Sequence, residues 1–346
     1  MPERLEAAMT RDPLDLRPTE TRDGTGQAAR RPASIGLLAI IVVNFGSHGL
    51  IEANLGGVDF GAMPVRIIVV DNYSSDEERS LMLAMAGIRG WTFLALDTNR
   101  GFGAAVNEGV RQARTLGCAS VLLLNPDAAA TPEVVAELHA ASLRDPDSMI
   151  CPRIVDSGGR DFFAGSRVSL RDGSIRNLTH DRVTLTSRDR RIPWLTAACL
   201  ATTCELFERI GGFDESYFLY WEDVDLSHRA HLVGATLTVR EDLVVVHDEG
   251  GTQGNRRGRA KSDLYYYYNC RNRLAFAASN LARRDLCRWI LSTPAASWRI
   301  LMRGGRRQLL HSSRPLVATI LGTCSGLRIA IRTLVHEPTT RVPRQR

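Results

Sequence analysis

The stretch "IGLLAIIVVNF", residues 35–45, is a continuous apolar run with the length of one β-strand. Such runs are typical of strands that are buried on both faces, because a strand with one face in solvent alternates apolar and polar residues. The runs "VRIIVVDN", "WTFLAL" and "SVLLLN" follow it along the chain. We therefore predict that the N-terminal half contains four buried strands.

Helical patterns separate these runs. Residues 76–85 follow Ser75 and residues 132–143 follow Thr131, and Ser and Thr are preferred N-cap residues. A third helical pattern covers residues 104–116. Strands that alternate with helices predict an α/β protein with a doubly wound, mostly parallel sheet.

The pattern changes after about residue 150, where short alternating runs broken by Gly and Asp-Gly predict hairpins. Residues 194–215, "WLTAACLATTCELFERIGGFDE", predict a strand and a short helix that stops at Gly-Gly. Residues 235–247 predict two short strands that end at His247. From Ser262 onward we predict helices.

The composition is that of a soluble globular protein: 346 residues, 44% hydrophobic and 24% charged, enough to bury a substantial core. The seven cysteines are scattered without a CxxC pair, which argues against a disulfide framework or a zinc knuckle and for a reducing compartment. The first thirty residues lack the apolar segment of a signal peptide. The apolar run 316–327 ends at Arg328, short of the roughly 20 residues of a membrane span, so we expect no span.

Positive charge is concentrated at the C-terminal end. The net charge is +6, and residues 281–346 hold thirteen arginines against Asp285 and Glu337. Arginines alternate there with apolar bulk such as Trp289 and Trp298, which is typical of helices in a membrane interface with anionic lipid. The alternative is a helical cap with its arginines in solvent. We expect no nucleic-acid partner, because a nucleic-acid patch more often lies on the folded body.

Polar residues that close the predicted strands are candidates for a binding site, because ligands bind beyond the carboxyl ends of parallel strands. These residues are Asn44, Asp71 with Asn72, Asn99, and Asn125 with Asp127. The Asp71 carboxylate suits the N3–H of a uracil or thymine ring, or alternatively caps the helix that follows.

A cation site is indicated by "LLLNPD", residues 122–127, and by His247 at the end of "LVVVH". The Asp127 carboxylate suits a hard divalent cation that bridges a diphosphate, and the addition of imidazole favours Mn²⁺ or Mg²⁺ over zinc. Each signal has an ordinary alternative. Asn-Pro-Asp is a common turn, and a single histidine at a strand end is usually structural.

The stretch "NRGFGAAVNEG", residues 99–109, lacks the third glycine of a dinucleotide-binding fingerprint, because Val106 stands there. We interpret it as a glycine-containing loop, with Gly103, that enters a helix. Its free N–H groups and Arg100 are expected to face an anionic ligand.

Acidic residues follow a run of aromatic ones in "YFLYWEDVDLSHRA", residues 217–230. Glu222, Asp223 and Asp225 fit the first turn of a helix, where carboxylates interact favourably with the helix dipole. However, burial beside aromatic rings makes a charge costly and raises a carboxyl pKa. One of these acids is therefore a candidate general base.

Taken in order, "IIVVNF", "VVDNYSSD", "NRGFGAAVNEG", "LLLNPD", "GGFDESYFLYWEDVDLSHRA" and "VVVHDEGGT" resemble family 2 glycosyltransferases of the GT-A fold. The similarity is to the rhamnosyltransferase and galactofuranosyltransferase-like members that build bacterial surface polysaccharides, and it spans roughly residues 37–275. It implies a disordered tail 1–34, a GT-A catalytic domain 35–255 and a basic helical C-terminal appendage 256–346. Within the catalytic domain, the nucleotide-sugar half is about 35–130 and the acceptor half about 131–255.

The resemblance also implies roles for individual residues. Asp223 is expected to be the catalytic base, with Glu222 as its main rival for that role. The first carboxylate of the family's D-x-D motif is missing, because Asn125 stands there. The resemblance therefore implies that Asp127 and His247 bind the Mn²⁺ or Mg²⁺ ion. The remaining implied site residues are Asn44, Asp71, Asn99, Arg100, Gly103 and Asn125 for the nucleotide sugar, and Trp221, Tyr220 and Trp194 as a wall against the acceptor or sugar.

The implied function is inverting transfer of a rhamnose-like or other hexose from a UDP- or dTDP-sugar to a glycan or lipid-linked acceptor. Such an enzyme of cell-wall polysaccharide synthesis is expected in the cytoplasm, peripheral on the inner face of the membrane. A nucleotidyltransferase is one alternative, although Lys261 is the only lysine available for its usual signature. A non-catalytic nucleotide-sugar or glycan-binding protein is another, and we would expect it to lack Asp223, Asp127 or His247.

Overall fold

The computed structural model describes residues 36–177, 190–247 and 261–336, and the predicted tail 1–34 lies outside these residues. The strands are β1 (Leu38–Asn44), β2 (Val65–Asp71), β3 (Thr92–Ala95), β4 (Ser120–Leu124), β5 (Ala128–Ala129), β6 (Ser148–Val155), β7 (Asp161–Phe163), β8 (Ser166–Ser169), β9 (Ile175–Asn177), β10 (Arg191–Trp194), β11 (Cys199–Thr203) and β12 (Thr236–His247). The helices are α1 (His48–Ile51), α2 (Asp76–Arg89), α3 (Phe102–Thr115), α4 (Pro132–Arg144), α5 (Cys204–Ile210), α6 (Glu222–Leu232), α7 (Asp263–Asn280), α8 (Arg283–Leu291), α9 (Thr293–Met302), α10 (Gln308–His311) and α11 (Arg314–His336), with a π-helical turn at Glu52–Gly56.

The central sheet has nine strands in the order β3-β2-β1-β4-β11-β6-β12-β5, with β7 beside β6. Strand β1 is buried along its whole length and pairs in parallel with β2 and β4. Strand β11 is antiparallel to β4 and β6, and β12 is parallel to β6. The predicted α/β fold with a mostly parallel sheet is therefore confirmed. A smaller sheet contains β10, β8 and β9 in that order.

The predicted helix starts are confirmed by their caps. The Ser75 hydroxyl accepts from the Glu78 N–H at 3.2 Å, and the Thr131 hydroxyl accepts from the Val134 N–H at 3.4 Å. The prediction of two strands over 235–247 is wrong, because β12 is one strand. Its pairing with β6 is interrupted only between Arg240 and Val244, where the charged residues form an irregularity instead of a turn.

The C-terminal helices share a core with the acidic stretch that opens α6. Helix α11 packs along α7, and a side chain at Gly322 would collide with the Tyr267 carbonyl oxygen. Helices α7 and α8 place Phe276 and Trp289 in one buried cluster with Tyr217 and other residues of the acidic stretch. Trp289 is 0% exposed, so the expectation that it lies in a membrane interface is wrong.

Helix α11 also bears on the expected absence of a membrane span. Among the described residues it is the one helix that is long and apolar enough to cross a membrane by length and composition. The apolar run is interrupted at Arg328, but the helix continues beyond it to His336. Only 22% of its most apolar window is buried inside the protein.

Two helical glycines provide a test of how closely α3 packs on the central sheet. A Cβ at Gly109 of α3 would lie 2.6 Å from Cγ2 of Ile41 and 3.2 Å from Cγ2 of Val70, whereas Gly87 of α2 has no neighbour within 4 Å. We expect Gly109→Ala to lower the free energy of unfolding by about 1–3 kcal/mol through overpacking. The control Gly87→Ala should raise it by up to about 1 kcal/mol, because Ala is the better helix former. Urea titrations measure both, and a Gly109→Ala protein as stable as wild type would contradict this account.

Candidate active site

The acidic pair stands at the start of α6 behind a strained turn. Tyr220 and Trp221 both have left-handed backbone angles, with φ of 66° and 75°. This conformation costs a residue with a side chain on the order of 1 kcal/mol. The buried Asn272 side chain of α7 compensates, since its Nδ2 donates to the carbonyls of Leu219 at 2.9 Å and Tyr220 at 2.8 Å. Sequence analysis missed Asn272, although an asparagine inside a helix is a signal of a specific bond.

Asp225 connects α6 to α7 by hydrogen bonds, and both of its bonded partners are protein side chains. Its carboxylate accepts from Nε of Arg229 at 2.7 Å and from Nδ2 of Asn280 at 2.8 Å. These bonds agree with the interpretation that Asp225 orients the helix. They leave Glu222 and Asp223 as the acids without an ion-pair partner among the described residues.

The two acids have different environments. Glu222 is 7% exposed, and its Oε2 has no hydrogen-bond partner within the described part of the chain. Burial, together with the charge of Asp223, raises the pKa of Glu222 to about 8. Burial also raises the pKa of Asp223 to about 6, although the Val224 N–H donates to its Oδ1 at 2.8 Å and acts in the opposite direction. At neutral pH the pair therefore offers one carboxylate and one protonated carboxyl, and a carboxylate with a pKa near 6 is a useful proton acceptor.

Asn44 and Asp71 meet at the ends of β1 and β2, as the parallel register requires. Asp71 is fully buried, and its carboxylate accepts from Nδ2 of Asn44 at 3.1 Å and from Nε of Arg79 at 2.8 Å. The alternative that Asp71 caps the next helix is wrong, because Ser75 does so. The guanidinium of Arg79 also lies 4.8 Å from the ring centroid of Tyr73.

The loop that leads into α3 is held by Asn72, one of the polar residues predicted to lie at a strand end. Asn72 accepts from the Arg100 N–H at 2.9 Å and donates to Oδ1 of Asn99 at 3.0 Å. Asn99 in turn accepts from the Gly101 N–H at 2.9 Å. The N–H of Phe102 donates to the carbonyl of Phe218. The expectation of free N–H groups is therefore wrong for Arg100, Gly101 and Phe102, which already have partners.

Arg100 and Gly103 contact the segment that precedes the acidic pair. The half-exposed Arg100 guanidinium forms an ion pair with Glu215 at 2.9 Å. A Cβ at Gly103 would lie 2.8 Å from Cβ of Phe213, so glycine is needed there for close packing. The side chain of Asn107, also missed, exchanges two 2.9 Å hydrogen bonds with the backbone of Phe213.

Asp127 and His247 lie together at the opposite end of the site. Strand pairing sets His247 opposite Ala128, and Nε2 of His247 is 3.0 Å from Oδ1 of Asp127. Adjacent ligands at about 2.1 Å in an octahedral site are about 3.0 Å apart, so the two donors fit neighbouring positions around Mg²⁺ or a similar ion. The amide Nδ2 of Asn125 is within 3.4 Å of Nε2.

The described residues contain no group of three or more acidic, histidine or cysteine side chains suited to a metal. A cation at Asp127 and His247 would therefore need further oxygens from a ligand or from water. The residues present fit a cation that is shared with a bound diphosphate.

The three aromatic residues predicted to form a wall have different surroundings. Trp194 and Tyr220 are partly exposed, and Tyr220 meets the ring of Tyr265 edge to face at 5.3 Å. Trp221 is 6% exposed and packs 5.6 Å from the ring of Phe276. Trp221 thus contributes mainly to the core, and the other two retain surface for a ligand.

One short segment links the acidic pair to the Asp127 turn. The Ala198 carbonyl accepts from the Asn125 N–H at 2.9 Å, and the Leu195 N–H donates to Oγ of Ser227 on α6 at 3.1 Å. Residues 195–198 therefore separate the two groups of polar side chains. The structure brings the Glu222–Asp223 pair, the Asp127–His247 pair and the strand-end carboxylate of Asp71 to the same end of the sheet.

Comparisons with known proteins identify a family for this chain. Residues 51–210 match the family described as glycosyl transferase family 2. The chain is 26% identical to the low-salt glycan biosynthesis hexosyltransferase Agl10 of Haloferax volcanii, over 70% of this chain and 75% of that protein. It is 28% identical to the N-acetylglucosaminyl-diphospho-decaprenol L-rhamnosyltransferase of Mycobacterium tuberculosis, over 63% of this chain and 78% of that protein.

Solved structures share the fold. The mannosyltransferase PcManGT from Pyrobaculum calidifontis, in complex with GDP-Man and Mn²⁺, superposes with a TM-score of 0.50 and 17% identity over 88% of each chain. GalNAc-T7 with UDP, GalNAc and Mn²⁺ gives a TM-score of 0.50 and 15% identity over 62% of this chain but only 44% of that protein. With the family match and the two curated relatives, this chain carries a family 2 glycosyltransferase domain and is a glycosyltransferase of the GT-A fold.

Proposed function

We propose that this glycosyltransferase moves a hexose, such as rhamnose, from a UDP- or dTDP-sugar to a hydroxyl of a glycan or lipid-linked acceptor, with inversion. The observation that carries the mechanism is the buried acidic pair with raised pKa values at the start of α6. The two curated relatives act in glycan biosynthesis and on a diphospho-decaprenol-linked sugar, which supports a role in surface polysaccharide synthesis.

Asp223 is the general base in this mechanism. Its carboxylate takes the proton of the acceptor hydroxyl while that oxygen bonds to C1 of the donor sugar. The bond from C1 to the diphosphate oxygen breaks, and the nucleoside diphosphate leaves with the electron pair. Glu222 stays protonated beside it, so that a second negative charge does not repel the leaving group.

The diphosphate is bound by cationic groups. Asp127 and His247 would hold Mn²⁺ or Mg²⁺, which when bound neutralises charge on the leaving group. Arg100 is available as well, because an exposed ion pair like that with Glu215 contributes little and exchanges at low cost. Asn44, Asp71, Asn99, Gly103 and Asn125 would shape the pocket for the nucleotide, and the fully buried Asp71 would do so through its bonds to Asn44 and Arg79.

The C-terminal region docks the enzyme on the inner face of the membrane. Its exposed apolar side chains include Trp298 at 56% and Leu310 at 84%, and the neighbouring Arg306 and Arg307 are exposed too. Apolar side chains insert at the boundary of the acyl chains, and each arginine near an anionic surface adds about 1 kcal/mol.

The base is tested by Asp223→Asn, which keeps the size of the side chain but removes its basicity. We expect transfer to fall by about 10²–10⁴-fold while binding of UDP or dTDP is unchanged. Wild-type kcat should fall as the pH drops through about 6, because Asp223 must be ionised to accept the proton. The matched variant Glu222→Gln should keep most of its activity at neutral pH. The opposite pattern, with Glu222→Gln inactive and Asp223→Asn active, would assign the base to Glu222.

The cation site is tested by calorimetry of UDP and dTDP binding with Mn²⁺ and with EDTA. Asp127→Ala should weaken the Mn²⁺-dependent binding by at least about tenfold, or about 1.4 kcal/mol, and His247→Ala should weaken it less. Neither variant should change the residual binding in EDTA. The control Asp97→Ala removes an exposed carboxylate and should have no effect. Wild-type binding and transfer that are indifferent to EDTA would exclude the cation.

Membrane docking is tested on the full chain, because α11 packs on α7 and a truncated protein would lose part of its core. We expect co-sedimentation with phosphatidylglycerol vesicles at low salt and release at high salt. Arg306→Gln with Arg307→Gln should abolish co-sedimentation, as should Trp298→Ser with Leu310→Ser. The control Arg66→Gln removes an exposed arginine at β2 and should bind normally. Equal binding by all variants would mean that the region is only a packing element.

A further inference from the structure

The smaller sheet places arginines side by side on one face. Arg167 of β8 is directly opposite Arg176 of β9 and Pro193 of β10. Arg191 of β10 is opposite Ser169, two residues further along β8. Directly opposite residues of an antiparallel pair project from the same face with Cβ atoms about 4.5–5.5 Å apart, and diagonal neighbours lie about 7–8 Å apart. Arg167, Arg176 and Arg191 are therefore close neighbours, and we call them the arginine face.

The other face of the same sheet is buried. Val168 is 0% exposed, and Ile192 opposite it is 5% exposed. Both belong to the buried cluster that contains Tyr217 and Trp221, which precede the acidic pair. Because successive residues of a strand project from opposite faces, the arginine face is turned away from this cluster. The smaller sheet thus packs beside the acidic pair with its arginines on the outside.

The strands of the smaller sheet supply no negative charge to the arginine face. They contain no Asp or Glu, and the one acid of residues 166–177 is Asp172 in the turn. Its Oδ1 accepts from the N–H and the hydroxyl of Ser174 at 3.0 Å and 2.8 Å. Arg176 is exposed and Arg191 is partly exposed, and neither forms an ion pair with a carboxylate within the ranges that the structure describes. Like charges directly opposite each other destabilise a sheet, so this arrangement is better explained by a ligand than by packing.

The arginine face suits a ligand that carries several negative charges. A guanidinium binds a carboxylate or a phosphate through two parallel hydrogen bonds. An anionic lipid surface would be one such ligand, but the large apolar side chains of the smaller sheet are buried or only partly exposed. By contrast, Trp298 and Leu310 in the region proposed to dock on the membrane are 56% and 84% exposed. The smaller sheet has no comparable group to insert into a bilayer, which favours a soluble anionic polymer.

Strand β10 connects the arginine face to the acidic pair. It ends at Trp194, which retains surface for a ligand. The N–H of the next residue, Leu195, donates to Oγ of Ser227 on α6 at 3.1 Å. A sugar bound at Trp194 would lie at the end of β10, and further sugars of the same chain would cross the sheet edge to the arginines.

We propose that the arginine face binds an acidic stretch of the acceptor glycan, in which sugars near the reacting end carry carboxylate or phosphate groups. The inference rests on the proposed function, because it concerns the acceptor of that reaction, and it specifies this acceptor as an anionic glycan chain. A neutral glycan would make no use of these arginines.

The experiment measures glycan binding, so that it is independent of catalysis. An oligogalacturonate of fixed length, in which every sugar carries a carboxylate, is titrated by calorimetry into the full chain. EDTA is present to remove any cation at Asp127 that would bind carboxylates. We expect Arg176→Gln with Arg191→Gln to weaken binding at least about fivefold, because charge-assisted hydrogen bonds are lost. The control Arg66→Gln changes an exposed arginine of β2 and should bind like wild type.

The melting temperature separates a binding role from a structural one. The double variant should melt at or above the wild-type temperature, because it removes like charges from one face of the sheet. A lower melting temperature together with unchanged oligogalacturonate binding would show that the arginines serve packing, and would overturn the inference.

Three further probes complete the test. A neutral maltooligosaccharide of the same length should bind much more weakly, and an excess of UDP should not displace the oligogalacturonate. The inference is overturned if the wild type does not bind oligogalacturonate, if the neutral chain binds as well, or if UDP competes. Loss of co-sedimentation with phosphatidylglycerol vesicles in the double variant would instead make the face a membrane contact, and also overturns it. Asp223→Asn should retain oligogalacturonate binding, so an error in the assignment of the base would leave this result unchanged.

Discussion

The paired hydrogen bonds from Asn272 to the carbonyls of Leu219 and Tyr220 are the interaction on which the arrangement of the site depends. Without them the consecutive left-handed residues Tyr220 and Trp221 would have no compensation for their backbone strain. The turn sets where α6 begins, and the start of α6 sets where Glu222 and Asp223 stand. The C-terminal helices are therefore part of the unit that positions the acidic pair and not an accessory to it.

Sequence analysis predicted the parts of the fold that depend on local pattern. The apolar run of β1 and the caps at Ser75 and Thr131 follow from burial and from short-range hydrogen bonds, and all three were predicted correctly. The acidic pair was found because carboxylates behind aromatic residues are unusual. In each case the signal lies within a few residues of the feature.

What could not be predicted depends on contacts between distant residues. Trp289 was predicted to lie in a membrane interface because its segment is rich in arginine. Only the packing of α8 against α6 and α7 shows that this side chain belongs to the protein core. A free N–H group at Phe102 was expected because its partner, the carbonyl of Phe218, is more than a hundred residues away. Asn107 gave no pattern at all, since a single asparagine within a helix has no periodicity, whereas Asn72 was found from its place at a strand end.

The bonds of Asn272 also constrain when the site can form. They join residues that are 52 and 53 positions apart, and the donor, Asn272, comes after the strained turn in the chain. During synthesis the β-sheet and α6 leave the ribosome first, while α7 is still inside the exit tunnel. The strained turn therefore lacks its support until the C-terminal helices emerge, so a nascent chain holds a nearly complete sheet before it holds a competent acidic pair.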